Sequence, residues 1–440
     1  MTMGQEQKNP LGEKLADAAC KAAIPGQPEG EALAEIWSEG LQVKPRSGST
    51  VFLPYTEMSR ADSANFGIHV IYPTGAIFLS MLGAKYDQFY LRLTDAWGDA
   101  LARAMLMSDD KVLYEARATY INVRPDGSQS FGPCRARIQP SGLVVLPVES
   151  PPVKLNFVRV PSLQAQGFRI NVETSDRGVF ELLRMGASYQ FFAEKLIGAK
   201  RDFESESFQA LSEFSPGIGF DRILEMARLM AEGRAVGRKV VQAKSFDFWL
   251  TLVRLVKESP LAAPFTHLQS LADDELTSIG FKKTLRGNYV WFMMAIPGSV
   301  EKGGNSVAME VTSEGGHATY LFRVLPRAKF PGSSPEDFRE AASETLRATN
   351  EAMITTGFRR EPIYLDEAKL STPAYRKYLY ASRNLPELVL LRDRFYARII
   401  HTTPESWTAD LSEALLFNVS AVDDGAKWGK SQAEAESPPE

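Results

Sequence analysis

The chain has 440 residues, of which 44% are hydrophobic and 24% charged, with a formal net charge of −4. Such a length predicts several domains with ample chain for their cores, and the composition is that of an ordinary soluble globular protein. The slight acidity supplies no global basic field, so direct DNA binding is not expected.

The first residues, MTMGQEQKNPLGEK, lack the apolar run of a signal peptide. The most apolar stretches, FWLTLVRLV (248–256) and YVWFMMAIP (289–297), are too short to span a bilayer. Only two cysteines occur, Cys20 and Cys134, with no CxxC pair. That pattern excludes a disulfide scaffold and a thiolate zinc site and suits a reducing compartment, so the expected location is cytoplasmic.

The stretch FLSMLGAKYDQFYLRL (78–93) returns as ELLRMGASYQFFAEKL (181–196). Gly83 and Gly186 are separated by 186 − 83 = 103 positions, and upstream the offset is 102. There EGLQVKP (39–45) lies over SGLVVLP (141–147), and Phe66, Ile68 and Val70 match Phe168, Ile170 and Val172. Counting residues 39–93 against their partners gives 16 identities in 55. A constant offset through several strand-like segments predicts a duplicated domain, because the period is too long for a solenoid unit.

Within the second copy, LYEARATYINV, CRARIQ, GLVVLPVE, VKLNFVRV, FRINVET and VFELLRM read as six strands with alternating apolar positions. An amphipathic helix follows, with Tyr189, Phe192, Leu196 and Phe203 on one stripe. The first copy's stripe is Tyr86, Phe89, Leu93, Trp97, Leu101 and Met105. Gly83 and Gly186 supply the sharp strand-to-helix turn, and Tyr86, Phe89, Tyr189 and Phe192 are the expected structural anchors closing each sheet.

These residues, SGLVVLP, then VKLNFVRVPSLQAQGFRINVETSDRGVFELLRMG, then YQFFAEKL, resemble the pleckstrin-homology-like (PH-like) superfold. That resemblance implies a bent antiparallel sheet closed by a C-terminal helix. PilZ barrels are the rival, but the sequences around Gly40 and Gly142 lack their [DN]xSxxG pattern. The expected fold class is α+β, with small β-barrel or sheet domains at 14–105 and 111–203.

Residues 204–286 read as a helical connector, containing FDRILEMARLMAEGRAV and FDFWLTLVRLVKESP. An α+β module is expected over 287–418. Its strands are NYVWFMMAIP and NSVAMEVTSEGGHATYLFRV, with SEGG as a hairpin turn and an approximate third instance of the strand–helix ending as one option. SSPEDFREAASETLRATNEAMITTGF starts with a serine cap, a proline and acidic first-turn residues, and so predicts a long helix. AYRKYLYASRNLPELVLLRDRFYARII reads as packing helices, and 419–440 as a disordered tail.

No motif spells out catalysis. His69, His267, His317 and His401 show no metal-ligand spacing, and there is no nucleophile elbow or Walker loop, so neither a metal nor a cofactor is expected. Lipid-binding PH domains carry a basic cluster on their first two strands. That resemblance makes Lys111, Arg124, Arg135 and Arg137 the candidate anion- or partner-binding residues, with Arg135 and Arg137 sharing one outer face. Leu33 and Glu35 stand at the matching positions of the first copy. The leading expectation is a non-catalytic intracellular scaffold or adaptor that binds other proteins. The alternatives are a peripheral membrane protein gripping anionic lipid headgroups, a chromatin factor of the histone-chaperone kind, and an enzyme assembled from dispersed residues.

Overall fold

Alternation of apolar residues builds a first antiparallel sheet from β1 (Lys14–Ala23), β2 (Gly30–Trp37), β3 (Gly40–Pro45), β4 (Val51–Pro54), β5 (Arg60–Ala64), β6 (Gly67–Tyr72) and β7 (Gly75–Ser80). The strands lie side by side as β4-β3-β2-β1-β7-β6-β5, and helix α1 (Tyr86–Ala104) follows. The structure is a computed structural model that describes residues 11–108, 110–284, 287–313, 316–401, 403–420 and 423–429. Its chain divides into two compact units, residues 1–201 and 202–440.

A second sheet in the first unit comprises β8 (Tyr114–Val123), β9 (Gln129–Gln139), β10 (Gly142–Pro147), β11 (Val153–Asn156), β12 (Ser162–Gln166), β13 (Arg169–Thr174) and β14 (Gly178–Leu183). Its order is β11-β10-β9-β8-β14-β13-β12, the same as the first, and α2 (Tyr189–Ser212) follows it. Each sheet has seven strands, where six were read from sequence in the second copy. The unread strand is SLQAQ, whose mostly polar side chains carry no strong alternation; its backbone pairs with β13 along its whole length. VKLNFVRV is a strand for only four residues, after which Phe157–Arg159 form a 3-10 turn that buries Phe157.

Gly83 and Gly186 both sit at φ +58, opening the 3-10 turns that lead into α1 and α2. A side chain there would force the left-handed region that only glycine enters without strain. One turn on, Phe89 and Phe192 are 2% and 0% exposed, beneath their helices. The Tyr86 hydroxyl donates to Gly67 O, and the Tyr189 hydroxyl donates to Arg169 O. Phe66 and Phe168, at hairpin turns with positive φ, stack on those tyrosines with ring centroids 5.9 and 5.2 Å apart.

In the second unit, α3 (Phe220–Met230), α4 (Arg238–Lys244), α5 (Phe246–Lys257) and α6 (Ala262–Leu271) accompany a six-stranded antiparallel sheet whose first short strand lies between α3 and α4. Its strands are β15 (Val236–Gly237), β16 (Thr277–Thr284), β17 (Gly287–Ser299), β18 (Gly303–Ser313), β19 (Gly316–Arg323) and β20 (Phe395–Ile400), lying in chain order. Residues 314–315 of the expected SEGG turn lie outside the described residues, and the flanking strands pair up to it. This plain meander differs from the order of the first two sheets.

The long insertion between β19 and β20 holds α7 (Pro335–Thr355) and the shorter α8 (Glu361–Tyr364), α9 (Glu367–Leu370), α10 (Leu379–Asn384) and α11 (Pro386–Arg394). The start of α7 is a capping box: Ser334 Oγ accepts from Asp337 N, and the Asp337 carboxylate accepts from Ser334 N. The last helix is α12 (Pro404–Ser420).

Three expectations change here. Residues 204–286 are not a separate helical connector: Ile223, Phe248, Leu252 and Phe265 share one core with Phe292, Met294, Leu321, Trp407 and Leu411, and TSIGFKKT within that span is β16. FYARII is an edge strand rather than helix, because its backbone pairs with β19 and its apolar side chains are buried. Within the expected tail, Lys427 and Trp428 are anchored on the chain. Trp428 is 4% exposed and donates its backbone N–H to Tyr396 O at 2.7 Å, while burial pushes the neighbouring Lys427 amine down to about 8. Residues 430–440 lie outside the described residues. Among the described residues no helix is long and apolar enough to cross a membrane.

Candidate functional site

Strand alternation puts Arg135 and Arg137 of β9 on the outer face of the second sheet, with Glu115 and Arg117 of β8 and Val144 and Leu146 of β10 beside them. That face is not open. Helix α1 of the first half lies across it, presenting Asp95, Gly98, Asp99 and Ala102, which fall on one stripe at spacings of three and four. Arg135 reaches the Asp99 carboxylate at 2.6 Å, that of Asp95 at 3.0 Å and that of Glu115 at 3.3 Å, and donates to Asp95 O at 2.8 Å. Arg137 donates to Asp99 at 2.5 Å and also to Glu115, and Arg117 pairs with Asp95 at 2.8 Å. Between the charges, Ala102 packs on Val144 and Leu146.

Arg135 and Arg137, expected as anion- or partner-binding residues, share one outer face, but that face is covered by α1 and their charges are met within the chain. Arg135 is 8% exposed. Burial works against its charge, and the carboxylates of Asp99, Asp95 and Glu115 more than offset it, holding the guanidinium above its ordinary pKa. Charge-assisted bonds of this kind fix the helix on the sheet rather than leave donors for a phosphate. Lys111 and Arg124 do not join them. Both are exposed and flank opposite ends of the ten-residue β8, which spans about 30 Å at the usual rise per residue. Arg124 donates to Ser128 within its own turn.

The same face of the first sheet carries different chemistry. Leu33 of β2 lies between Ala19 and Lys44, as Arg135 lies between Arg117 and Leu146. Glu35 stands where Arg137 stands and is 4% exposed, gripped by Lys14 at 3.0 Å and Lys44 at 2.8 Å. Burial disfavours its charge, but those two lysines win and keep its pKa below the usual carboxylate value. Beside it is a groove of about 820 Å³ lined by Ala19, Leu33, Met81, Lys21, Lys44 and Arg46, with Glu31 and the floor residue Cys20. Leu33 is 36% and Met81 77% exposed.

The second unit gathers residues that sequence spacing did not connect. Glu310 on β18 is fully buried; one carboxylate oxygen accepts from Thr319 Oγ1 at 2.6 Å, and the other lies 2.8 Å from His401 Nε2. Trp407 Nε1 donates to Thr319 Oγ1, and the Trp407 ring touches both His401 and His267. His317 stacks against His401 with centroids 6.0 Å apart. His401 thus contacts Glu310 directly, while His317 reaches it through the His401 ring and His267 through the Trp407 ring, although 134 positions (401 − 267) separate the first and last of these histidines. The available signal was a glutamate inside the apolar strand VAMEV. Thr319 Oγ1 also lies 3.1 Å from His401 Nε2 but is fully buried, and among the described residues no group of three or more His, Cys, Asp or Glu side chains is arranged to hold a metal ion. The cluster acts as a buried polar latch joining β18, β19 and α12.

No family model matches this chain, and no curated protein matches it. Among solved structures, it is similar to the Spt16D–Pob3N heterodimer at 14% identity, covering 38% of this chain and 95% of that one, with a TM-score of 0.17.

Proposed function

We propose that this protein is a non-catalytic, protein-binding scaffold whose first unit is a duplicated pair of PH-like modules. The observation that carries the reading is the contrast between two equivalent sheet faces. One is filled by a helix from within the chain, while the other keeps an apolar and basic groove open to solvent. A sheet face that accepts a helix in one module is a natural recognition surface in its twin. The shared strand order, the two glycines at φ +58 and the buried Phe89 and Phe192 support duplication with divergence of the outer faces.

The test is crosslinking and mass spectrometry on the tagged full chain in extract of its native host. The expected result is a stoichiometric protein partner crosslinked to the first unit. Elution of the chain alone, with no intermolecular crosslink at low or high salt, would overturn the reading.

A further inference from the structure

We propose that the outer face of the first sheet is the docking site for an acidic amphipathic α-helix of a protein partner, seated as α1 is seated on the second sheet. This deepens the scaffold reading and rests on it. The chain itself supplies the template. On the second sheet the face is covered by a stripe in which two carboxylates, Asp95 and Asp99, bracket Gly98, with Ala102 one turn on. A Cβ built at Gly98 would lie 3.5 Å from Leu146 and 3.6 Å from Arg135, so the helix backbone rides close to the sheet.

The groove on the first sheet fits the same kind of occupant. Its lining carries three cations, Lys21, Lys44 and Arg46, against one carboxylate, Glu31, with Lys44 held in place by the buried Glu35 beneath it and Lys21 and Arg46 at the exposed rim. Leu33 and Met81 give an apolar contact, and methionine adapts its shape to a partner at little cost. The outer pairs, Lys21–Glu29 at 2.9 Å and Arg46–Glu31 at 2.7 Å, have side chains between 42% and 80% exposed. Exposed pairs of this kind contribute little, so incoming carboxylates exchange with them readily. The groove lies on the broad face of β1, β2 and β3 rather than at a sheet edge, which favours a helix over an added strand.

A second copy of this chain is the wrong occupant. At the offset of 103, the α2 residues standing where α1 has Asp95, Gly98, Asp99 and Ala102 are Gly198, Arg201, Asp202 and Ser205. Arg201 would bring a bulky cation to the place where α1 has its glycine, against three cations of the groove.

The experiment uses the full chain and two synthetic helices: one with the face Asp-x-x-Gly-Asp-x-x-Ala flanked by leucines, and its counterpart with lysine for both aspartates. Binding is read by fluorescence anisotropy at low and high salt, for the native chain, Leu33→Asp and Lys21→Glu/Arg46→Glu, each checked for folding by circular dichroism. The acidic helix is expected to bind and to weaken with salt, while the lysine helix does not bind. Leu33→Asp should cost about tenfold in affinity, as loss of one central apolar contact does, and the double reversal several-fold.

Equal binding of both helices, no binding, or binding unmoved by the variants overturns the proposal. So does concentration-dependent dimerisation abolished by Leu33→Asp, which would make a second copy the occupant. Cosedimentation with phosphatidylserine vesicles that is abolished by Lys21→Glu/Arg46→Glu would make it a membrane. If the helices fail to bind but crosslinked partner capture persists in Leu33→Asp, this site falls and the scaffold reading stands.

Discussion

The two outer faces of the first unit teach how one strand order accommodates opposite electrostatic solutions. On the second sheet, three arginines meet carboxylates brought by a helix from elsewhere in the chain, and the side chains of Arg135 and Arg137 are shielded from water while that of Arg117 stays exposed at the margin. On the first sheet, the charge on Glu35 is satisfied by lysines of the same sheet, whose side chains remain 38% and 43% exposed. The first arrangement fastens two halves together. The second leaves the face complete without a cover, and so free to receive one. A buried ion cluster is costly to break because an unpaired charge remains behind, whereas exposed partners return to water.

The sharpest way to break this comparison is to reverse the covered face. Arg135→Glu/Arg137→Glu sets two new carboxylates against Asp95, Asp99 and Glu115. It should destabilise the first unit by more than about 4 kcal/mol, the upper part of the range for a broken buried pair, or prevent folding. A chemical denaturation midpoint close to that of the native chain would mean that the face is solvated after all.

The next effect tests what both halves share. Phe89→Ala and Phe192→Ala each remove a buried ring under the closing helix and should cost about 3–5 kcal/mol. Calorimetry showing one loss large and the other negligible would show that only one sheet depends on its helix.

The open face predicts a small effect. Glu35→Gln keeps the shape and removes the charge that Lys14 and Lys44 share. Because both lysines can turn to solvent, the cost should stay within about 1 kcal/mol in urea titration. A loss as large as that of the arginine reversal would erase the distinction between the faces.

The smallest effect concerns the cysteines. Burial pushes the Cys20 thiol up to about 11 and that of Cys134 up to about 12, from 9.0. Native-state alkylation near neutral pH should therefore be slow at both and slower at Cys134. A raised thiol pKa means that the unfolded chain loses its proton first. Stability from these groups is then fully present below pH 9 and falls as pH rises toward 11–12. Cys134→Ala should flatten that decline, and an unchanged alkaline slope in the variant would remove the thiol as its source.

Local pattern made much of this fold legible. Alternating apolar residues marked β8, β9, β10, β13, β14 and the β17–β19 run, and the serine–proline–acidic opening of α7 named its cap. Where residues were polar or the apolar run was two-sided, pattern failed. SLQAQ and TSIGFKKT are strands because neighbouring backbones supply hydrogen bonds, and FYARII is a strand because β19 offers it an edge. SLQAQ and TSIGFKKT pair with the strand that follows them in a hairpin, whereas the partner of FYARII lies in a segment that no local window contains.

The candidate site divides in the same way. Period-two geometry alone placed Arg135 and Arg137 on one face, and glycine's strain-free access to positive φ marked the turns at Gly83 and Gly186. Whether that face met water or a helix was a tertiary decision, since Asp95 and Asp99 lie about forty positions upstream and reach the arginines only when α1 folds across the second sheet. The pairing of His401 with Glu310, and the chain of ring contacts that links His317 and His267 to it through His401 and Trp407, was decided the same way, by segments remote in sequence. Residue type and spacing set what a segment is able to bury, but only the packed chain sets what it is buried against, because desolvation and ion pairing depend on partners remote in sequence.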